Sequence, residues 1–184
     1  DVTHDEVIRR ELGLVERGVF DTSALKYSVR RLNQLGYFEP LDEDNAIQID
    51  KRPGVDNEVD LTLDLIEANL NQLTFGAGAS QFDGFFLQLS FQTTNFLGRG
   101  ESLSMNMQHG DRMKNYTVGF SEPYLFGKPI TGGLNVFRRD IQFINQFTQS
   151  SIGGGGSIGF RVGQWSQMFV GYSYEATDVK ELNP

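Results

Sequence analysis

The sequence of 184 residues contains no cysteine and only two histidines, His4 and His109. The absence of cysteine excludes a disulfide framework and any metal site built from thiolates. The two histidines fall in different predicted elements, so a shared metal site is not expected. A hydrolase site needs a histidine within reach of a serine or a carboxylate, and no such pattern surrounds His109. We therefore expect no catalytic residue, no cofactor and no metal, and we do not expect an enzyme.

Long apolar runs and basic stripes are also missing. No apolar segment approaches the ~18 residues that a membrane-spanning helix requires. Neither half of the chain carries the basic stripe typical of nucleic-acid-binding proteins, so nucleic acid is not a predicted partner. Because the chain begins within a polar segment, we expect it to be part of a longer protein.

The net charge of −8 is confined to the first part of the chain. Residues 1–67 contain sixteen acidic and eight basic residues, whereas residues 68–184 contain eight of each. Such a change in charge balance indicates a domain boundary near Glu67. We predict one domain over residues 1–68 and a second over residues 69–184.

The first domain is predicted to contain two helices followed by two strands. Thr3 and Glu6 have the spacing of a capping box for a helix over residues 5–12. Asp21 is the predicted N-cap of a second helix, which ends before a left-handed Gly36. One strand takes in residues 37–41 and resumes at 46–51, and the other covers residues 59–66. These elements make a small core, so we expect a further strand to precede Asp1.

The second domain alternates apolar and polar residues in steps of two, which is the period of a β-strand. Seven strands are predicted, at residues 73–80, 84–94, 101–110, 114–122, 130–139, 156–163 and 168–175. The longest break, residues 140–155, is predicted to be a loop, and the glycines at 153–156 to be its flexible end. These glycines lack the Lys-Ser/Thr of a phosphate-binding loop.

The predicted strands carry almost no charge, and the charged residues collect in the breaks. A soluble sandwich would place charged residues on its outer faces. Strands with an apolar face, a small polar face and aromatic residues near their ends are instead typical of a transmembrane barrel wall. Arg161 is then the one charge predicted to face the lumen. The alternative, a soluble β-rich binding protein, is less consistent with this pattern.

The segments between the strands resemble turns of the Omp85 family. One is Asn95-Phe96-Leu97-Gly98-Arg99-Gly100-Glu101, and another is Ser121-Glu122-Pro123-Tyr124-Leu125-Phe126-Gly127. Gly18-Val19-Phe20 and Leu32-Asn33-Gln34-Leu35-Gly36-Tyr37-Phe38 are similar to a POTRA domain, and Asn71–Gly78 resembles the step into the first barrel strand. The resemblance covers essentially the whole chain.

The resemblance implies an α+β POTRA domain followed by an antiparallel transmembrane β-barrel segment of about seven strands. Compared with the family, the sequence lacks the first POTRA strand, the later barrel strands and the closing strand. Seven strands cannot close a membrane barrel, since such barrels start at about eight, so an incomplete barrel is expected. In the turns, the residues that match the family are Asn95, Leu97, Gly98, Gly100, Glu122 and Pro123.

The resemblance also implies a function, which is the folding and insertion of other outer-membrane proteins without a nucleotide or metal. The expected location is the bacterial outer membrane, with the POTRA domain in the periplasm. The expected partners are client proteins, the lipid bilayer and accessory assembly lipoproteins. The alternative is a secretion pore of the same superfamily that exports one dedicated partner protein.

Two strands are the predicted sites of this function. The first barrel strand is the expected lateral gate, formed by Leu73, Thr74, Phe75, Gly76, Ala77, Gly78, Ala79 and Ser80. The POTRA strand expected to pair with extended client segments contains Ala46, Ile47, Gln48 and Ile49. Glycines weaken a strand, which favours a gate, but glycines in a barrel wall also serve curvature or close packing. The sequence leaves both explanations of Gly76 and Gly78 open.

Overall fold

The structure is a computed structural model that describes residues 3–41, 47–51, 58–81, 83–143, 147–162 and 166–181. The chain divides into two compact units. The first contains the residues up to Leu70 together with Leu97–Arg99, and the second contains Asn71–Phe96 and the residues from Gly100 onward. None of the described helices is long and apolar enough to cross a membrane.

The first helix, α1 (Asp5–Arg9), is shorter than predicted, and its predicted capping box is wrong. Its N-cap is His4, which forms no side-chain cap. Thr3 is buried, and its backbone N–H donates to the carboxylate of Glu67. A contact distant in sequence has thus replaced the local cap.

The second helix, α2 (Thr22–Leu35), begins and ends as predicted. The Asp21 carboxylate accepts the backbone N–H of Ser23 at 2.7 Å, which satisfies one free donor at the helix start. Gly36 follows the last turn at φ 67°, a left-handed conformation that glycine adopts without a Cβ clash. Local sequence signals therefore define this helix at both ends.

The core of the first unit lies between these helices and the strands that follow. Val7, Leu32, Tyr37 and Phe38 form a buried cluster, and Leu32 is fully buried. A half-buried ion pair lies beside this core, because the buried Glu11 carboxylate is 2.7 Å from Nη2 of Arg31 on α2. Glu11 follows the end of α1, so the pair joins the chain after α1 to α2.

Two strands, β1 (Ile47–Lys51) and β2 (Val59–Leu63), pair antiparallel in the first unit. The predicted strand over residues 37–41 is wrong, since only Phe38 forms an isolated bridge, with Glu67. The Asn33 side chain explains the difference, because it accepts the N–H of Leu41 at 2.8 Å and donates to its carbonyl at 3.1 Å. Leu41 thus bonds to a helix side chain instead of a strand.

The second unit is one antiparallel sheet of seven strands in chain order, which confirms the predicted fold class. The sheet is not closed. Its strands are β3 (Gln72–Ser80), β4 (Gly84–Phe96), β5 (Glu101–Gly110), β6 (Met113–Glu122), β7 (Ile130–Gln142), β8 (Phe147–Arg161) and β9 (Gln167–Glu181).

The predicted loop over residues 140–155 is wrong, because β8 already begins at Phe147. The glycines at 153–156 are not a flexible loop end but lie within β8, paired with β7 and β9. A Cβ at Gly153 would lie 2.7 Å from the Phe137 ring and 2.6 Å from the carbonyl of Tyr174. Glycine is therefore needed for close approach between strands, and not for flexibility.

The two faces of the sheet differ as the alternation predicts. One face, here called the outer face, exposes large apolar side chains; they include Leu73, Phe75, Leu87, Met105, Leu134, Val136, Ile158, Val170, Tyr172 and Tyr174. The other, the inner face, carries mainly small and polar residues, together with Phe86, Phe137 and Phe169 opposite glycines. Arg161 is exposed at the end of β8, opposite Gln167, and alternation places it on the inner face with Ser157 and Gly159. It is not the one charge on this face, because the register also places Arg139 of β7 and Glu175 of β9 there. Its position in a lumen stays a prediction.

We expect Leu32→Ala to destabilise the first unit by about 2–5 kcal/mol, because it leaves a cavity at a fully buried site. Amide hydrogen exchange of α2 peptides in the full-length protein measures this loss. Arg30→Ala on the exposed side of the same helix is the matched control, with an expected change within about 0.5 kcal/mol. Equal exchange in the two variants would contradict the assignment of the core.

Candidate functional site

The strand predicted as a gate, β3, lies at the edge of the seven-stranded sheet. Among the described residues it pairs only with β4, from Gln72 opposite Gln92 to Ser80 opposite Gly84. It has nine residues, whereas β8 and β9 have fifteen each. An edge strand presents unpaired backbone donors and acceptors to any further strand. The sheet thus offers a pairing edge along Leu73 to Ser80.

The side chains of β3 bury little surface. Leu73 and Phe75 are 70% and 72% exposed, and Ala77 and Ala79 are small and exposed. Thr74 and Ser80, on the inner face, are also exposed. Because burial of apolar area is the main favourable term in strand association, β3 is held chiefly by its hydrogen bonds to β4.

The two glycines of β3 have different surroundings. A Cβ at Gly78 would lie 2.6 Å from the ring of Phe86, its register partner on β4, so close packing requires glycine there. A Cβ at Gly76 would meet no atom within 4 Å. Close packing therefore explains Gly78 but gives no reason for Gly76.

The turn end of the β3–β4 hairpin is fastened to the next hairpin by two residues that the sequence did not single out. Asp111 accepts the N–H of Phe85 at 3.2 Å, and Arg112 donates to the carbonyl of Gln81 at 2.7 Å. Within the hairpin, Asp83 N–H donates to the Ser80 hydroxyl at 2.8 Å. The sequence signal for this support is the Asp-Arg pair in the predicted break after β5.

The turn between β4 and β5 explains the first sequence motif. Asn95 is buried, and its side-chain oxygen accepts the N–H of Gly100 at 2.7 Å. Leu97, Gly98 and Gly100 all have positive φ, at 53°, 74° and 77°. Asparagine thus closes the turn, and the glycines supply left-handed backbone that other residues rarely adopt.

The turn between β6 and β7 is held in a similar manner. β6 ends at Glu122, directly before Pro123, which cannot continue a ladder because it lacks an N–H. The Glu122 carboxylate accepts the N–H of Tyr124 at 2.8 Å. Both motifs therefore have a structural reason in the shape of their turns.

The second predicted pairing strand lies in the first unit. β1 begins at Ile47, and Gln48 and Ile49 are exposed, with Ile49 48% exposed. Among the described residues β1 pairs only with β2. Ala46, also named for this site, lies outside the described residues. The strand thus provides a second edge, five residues long.

The chemistry of the described side chains gives no metal or triad constellation. Within the described ranges, no group of three or more His, Cys, Asp or Glu side chains lies close enough to hold a metal ion. The partner of His109 is the Tyr116 hydroxyl, 2.6 Å from its Nδ1, and not a serine or carboxylate. The edges of β3 and β1 instead offer hydrogen bonding by the backbone.

Comparison with protein families matches both parts of the chain. A POTRA model described as a surface antigen variable number repeat matches residues 1–68, and the Omp85 superfamily domain matches residues 95–184. The second part of the chain thus carries an Omp85 superfamily domain, and the first part a POTRA repeat. The resemblance expected from the turn motifs and the POTRA segments is therefore confirmed.

Individual members of the superfamily are similar over nearly the whole chain. The outer membrane protein assembly factor BamA of Neisseria meningitidis is 29% identical over 98% of this chain and 23% of its own length. BamA of Buchnera aphidicola is 25% identical over 95% of this chain and 28% of its own length. The chain thus spans about a quarter of these curated relatives.

A solved structure shows the same fold. The crystal structure of BamA from Haemophilus ducreyi lacking POTRA domains 1-3 has a TM-score of 0.78 and 25% identity. The likeness covers 98% of this chain and 34% of that one. The seven-stranded sheet thus matches part of a BamA barrel.

We expect alanine to have opposite effects at the two β3 glycines. Gly76→Ala fits without a clash and removes backbone freedom, so it should stabilise β3 pairing by about 0.5–1 kcal/mol and slow amide exchange about two- to fivefold. Gly78→Ala displaces the Phe86 ring and should speed exchange.

Hydrogen-exchange mass spectrometry of β3 peptides in the full-length protein measures both effects. The matched control repeats Gly78→Ala in a Phe86→Leu variant. The increase in exchange rate caused by Gly78→Ala should be smaller there, because the Phe86 ring is gone. The same exchange rate in both alanine variants would show that the two glycines have equivalent surroundings.

Proposed function

We propose that this chain is part of an assembly factor that folds outer-membrane proteins and inserts them into the bacterial outer membrane. The observation that carries the proposal is the edge of β3, a short strand paired on one side with little buried side-chain area. A client strand pairs with this edge and uses it as a template. BamA, to which the chain is similar, is named for this activity.

The gate is the separation of β3 from the strand that lies against it in the complete barrel. Gly76 contributes because a glycine weakens the order of a strand. A Cβ at this position would meet no atom within 4 Å, so close packing does not explain the glycine. Ala77 and Ala79 contribute because they offer little lipid contact. Opening along the Ala77–Ala79 part of β3 therefore costs less than opening along a strand segment that carries large side chains.

The POTRA domain has a supporting role in this proposal. The edge of β1 at Ile47, Gln48 and Ile49 receives extended client segments by strand addition before they reach β3. Backbone pairing of this kind accepts many sequences, because its hydrogen bonds come from the main chain. No nucleotide or metal takes part.

The two different faces of the sheet support a location in the outer membrane. The exposed apolar outer face contacts the lipid bilayer of the outer membrane. The POTRA domain lies in the periplasm, where unfolded clients arrive and accessory assembly lipoproteins bind. The turns after β4 and β6 then lie at the periplasmic side.

A photo-crosslinking amino acid at Thr74 in the full-length protein tests the gate. We expect it to capture several different outer-membrane proteins during their synthesis, because Thr74 lies in the pairing edge. The matched control is the same probe at Asn106 on β5, which is paired on both sides and should capture few clients.

Three outcomes separate the alternatives. Capture of many clients at Thr74 alone supports the assembly function. Capture of one secreted protein would favour the secretion pore. Equal capture at Thr74 and Asn106 would show that β3 is not a distinct pairing edge.

A further inference from the structure

A group of polar side chains ends the apolar outer face at one end of three strands. We call it the cationic cluster; its members are His109 on β5, Lys114 and Tyr116 on β6, and Arg138 and Asp140 on β7. Alternation places all five on the same face as the exposed Met107 and Val136.

The register of the sheet brings these residues together. His109 lies opposite Lys114, Lys114 opposite Asp140, and Tyr116 opposite Arg138. Directly opposed side chains have Cβ atoms about 5 Å apart, and diagonal neighbours such as Lys114 and Arg138 about 7–8 Å. Side chains as long as these reach a common group placed between them.

The contacts leave positive charge exposed. Nε of Arg138 lies 3.3 Å from Oδ2 of Asp140, and the Arg138 side chain is 63% exposed whereas that of Asp140 is 20% exposed. Lys114 is exposed and makes no ion pair with any residue that the structure describes. Asp140 thus orients the guanidinium, and a second cation beside it stays available.

The position of the cationic cluster along the strands indicates its depth in the bilayer. Towards the turns after β4 and β6, the outer face continues with Leu103, Phe120 and Leu134. At the opposite end, Tyr116 marks the limit of the apolar band, as aromatic girdles do in barrel walls. Cations just beyond such a girdle lie at the level of the lipid headgroups.

We infer that the cationic cluster binds the anionic phosphate headgroups of membrane lipids in the leaflet at the strand ends opposite the turns after β4 and β6. The inference rests on the proposed membrane location of the sheet. Arginine offers a planar fork of donors to phosphate and lysine a point charge. The acyl chains of the same lipid contact Met107 and Val136, which favours a lipid over free phosphate.

Titration of the full-length protein with phosphatidic acid or phosphatidylcholine, followed by native mass spectrometry, tests the inference. We expect preferential binding of phosphatidic acid, which weakens about fivefold for Lys114→Gln and again for Arg138→Gln, because each cation near an anionic lipid surface contributes about that factor. Arg139→Gln is the matched control, since it removes the neighbouring cation from the inner face.

Unchanged binding by the double variant, or an equal loss with Arg139→Gln, would overturn the inference. Displacement of the lipid by inorganic phosphate would also overturn it, because the site would then recognise phosphate without the acyl chains of a lipid. Heat-dependent gel mobility shows whether the double variant is folded. If it is not folded, the two single variants are compared with Arg139→Gln instead.

A separate readout distinguishes this inference from the proposed function. Client assembly in phosphatidylcholine liposomes reports on the pairing edge and does not need the cationic cluster. Assembly without lipid preference contradicts the lipid site alone. Lipid preference without assembly contradicts the assembly function alone.

Discussion

Hydrogen bonding between the backbones of neighbouring strands is the interaction on which the second unit depends. A strand satisfies its donors and acceptors in full only when strands lie on both sides. Within the described part of the chain, β4 to β8 meet this condition, and β3 and β9 are bonded on one side only. The alternation of apolar and polar residues follows from the same geometry, because the ladder fixes which side chains share a face.

Pairs of glycine and phenylalanine on the inner face show how the strands fit together. Phe86, Phe137 and Phe169 are the register partners of Gly78, Gly153 and Gly159, and each ring lies where a Cβ of the glycine would be. The ring covers backbone that the glycine leaves bare, which is a known way to stabilise glycine in a sheet. Gly76 is different, since its partner is Gln88 and the space before it is open.

The elements predicted correctly from sequence are those whose causes are local. Asp21 and Gly36 define α2 through bonds and backbone angles within a few residues. The strands of the sheet follow from alternation, and the family resemblance from motifs in their turns. The edge position of β3 also followed from its place at the start of the sheet.

The errors have causes that lie outside the local sequence pattern. Thr3 bonds to Glu67 instead of capping α1, and Leu41 bonds to Asn33 instead of a strand. The start of β8 was missed because serines and glycines have low strand propensity. Their place in a strand comes from backbone pairing with β7 and β9 on both sides, which no local pattern reveals.

The two edges of the sheet are not equivalent. β9 has fifteen residues and places Val170, Tyr172 and Tyr174 on the outer face, whereas β3 has nine residues and places Leu73 and Phe75 there near its start and Ala77 and Ala79 near its end. Separating a strand costs its ladder of hydrogen bonds and the apolar contacts of its side chains with neighbours. The first cost is smaller for β3, because its ladder has nine residue pairs against fifteen for β9, and the second is reduced where its outer side chains are the alanines. The shortest strand of the described sheet is therefore the one that we propose as the gate.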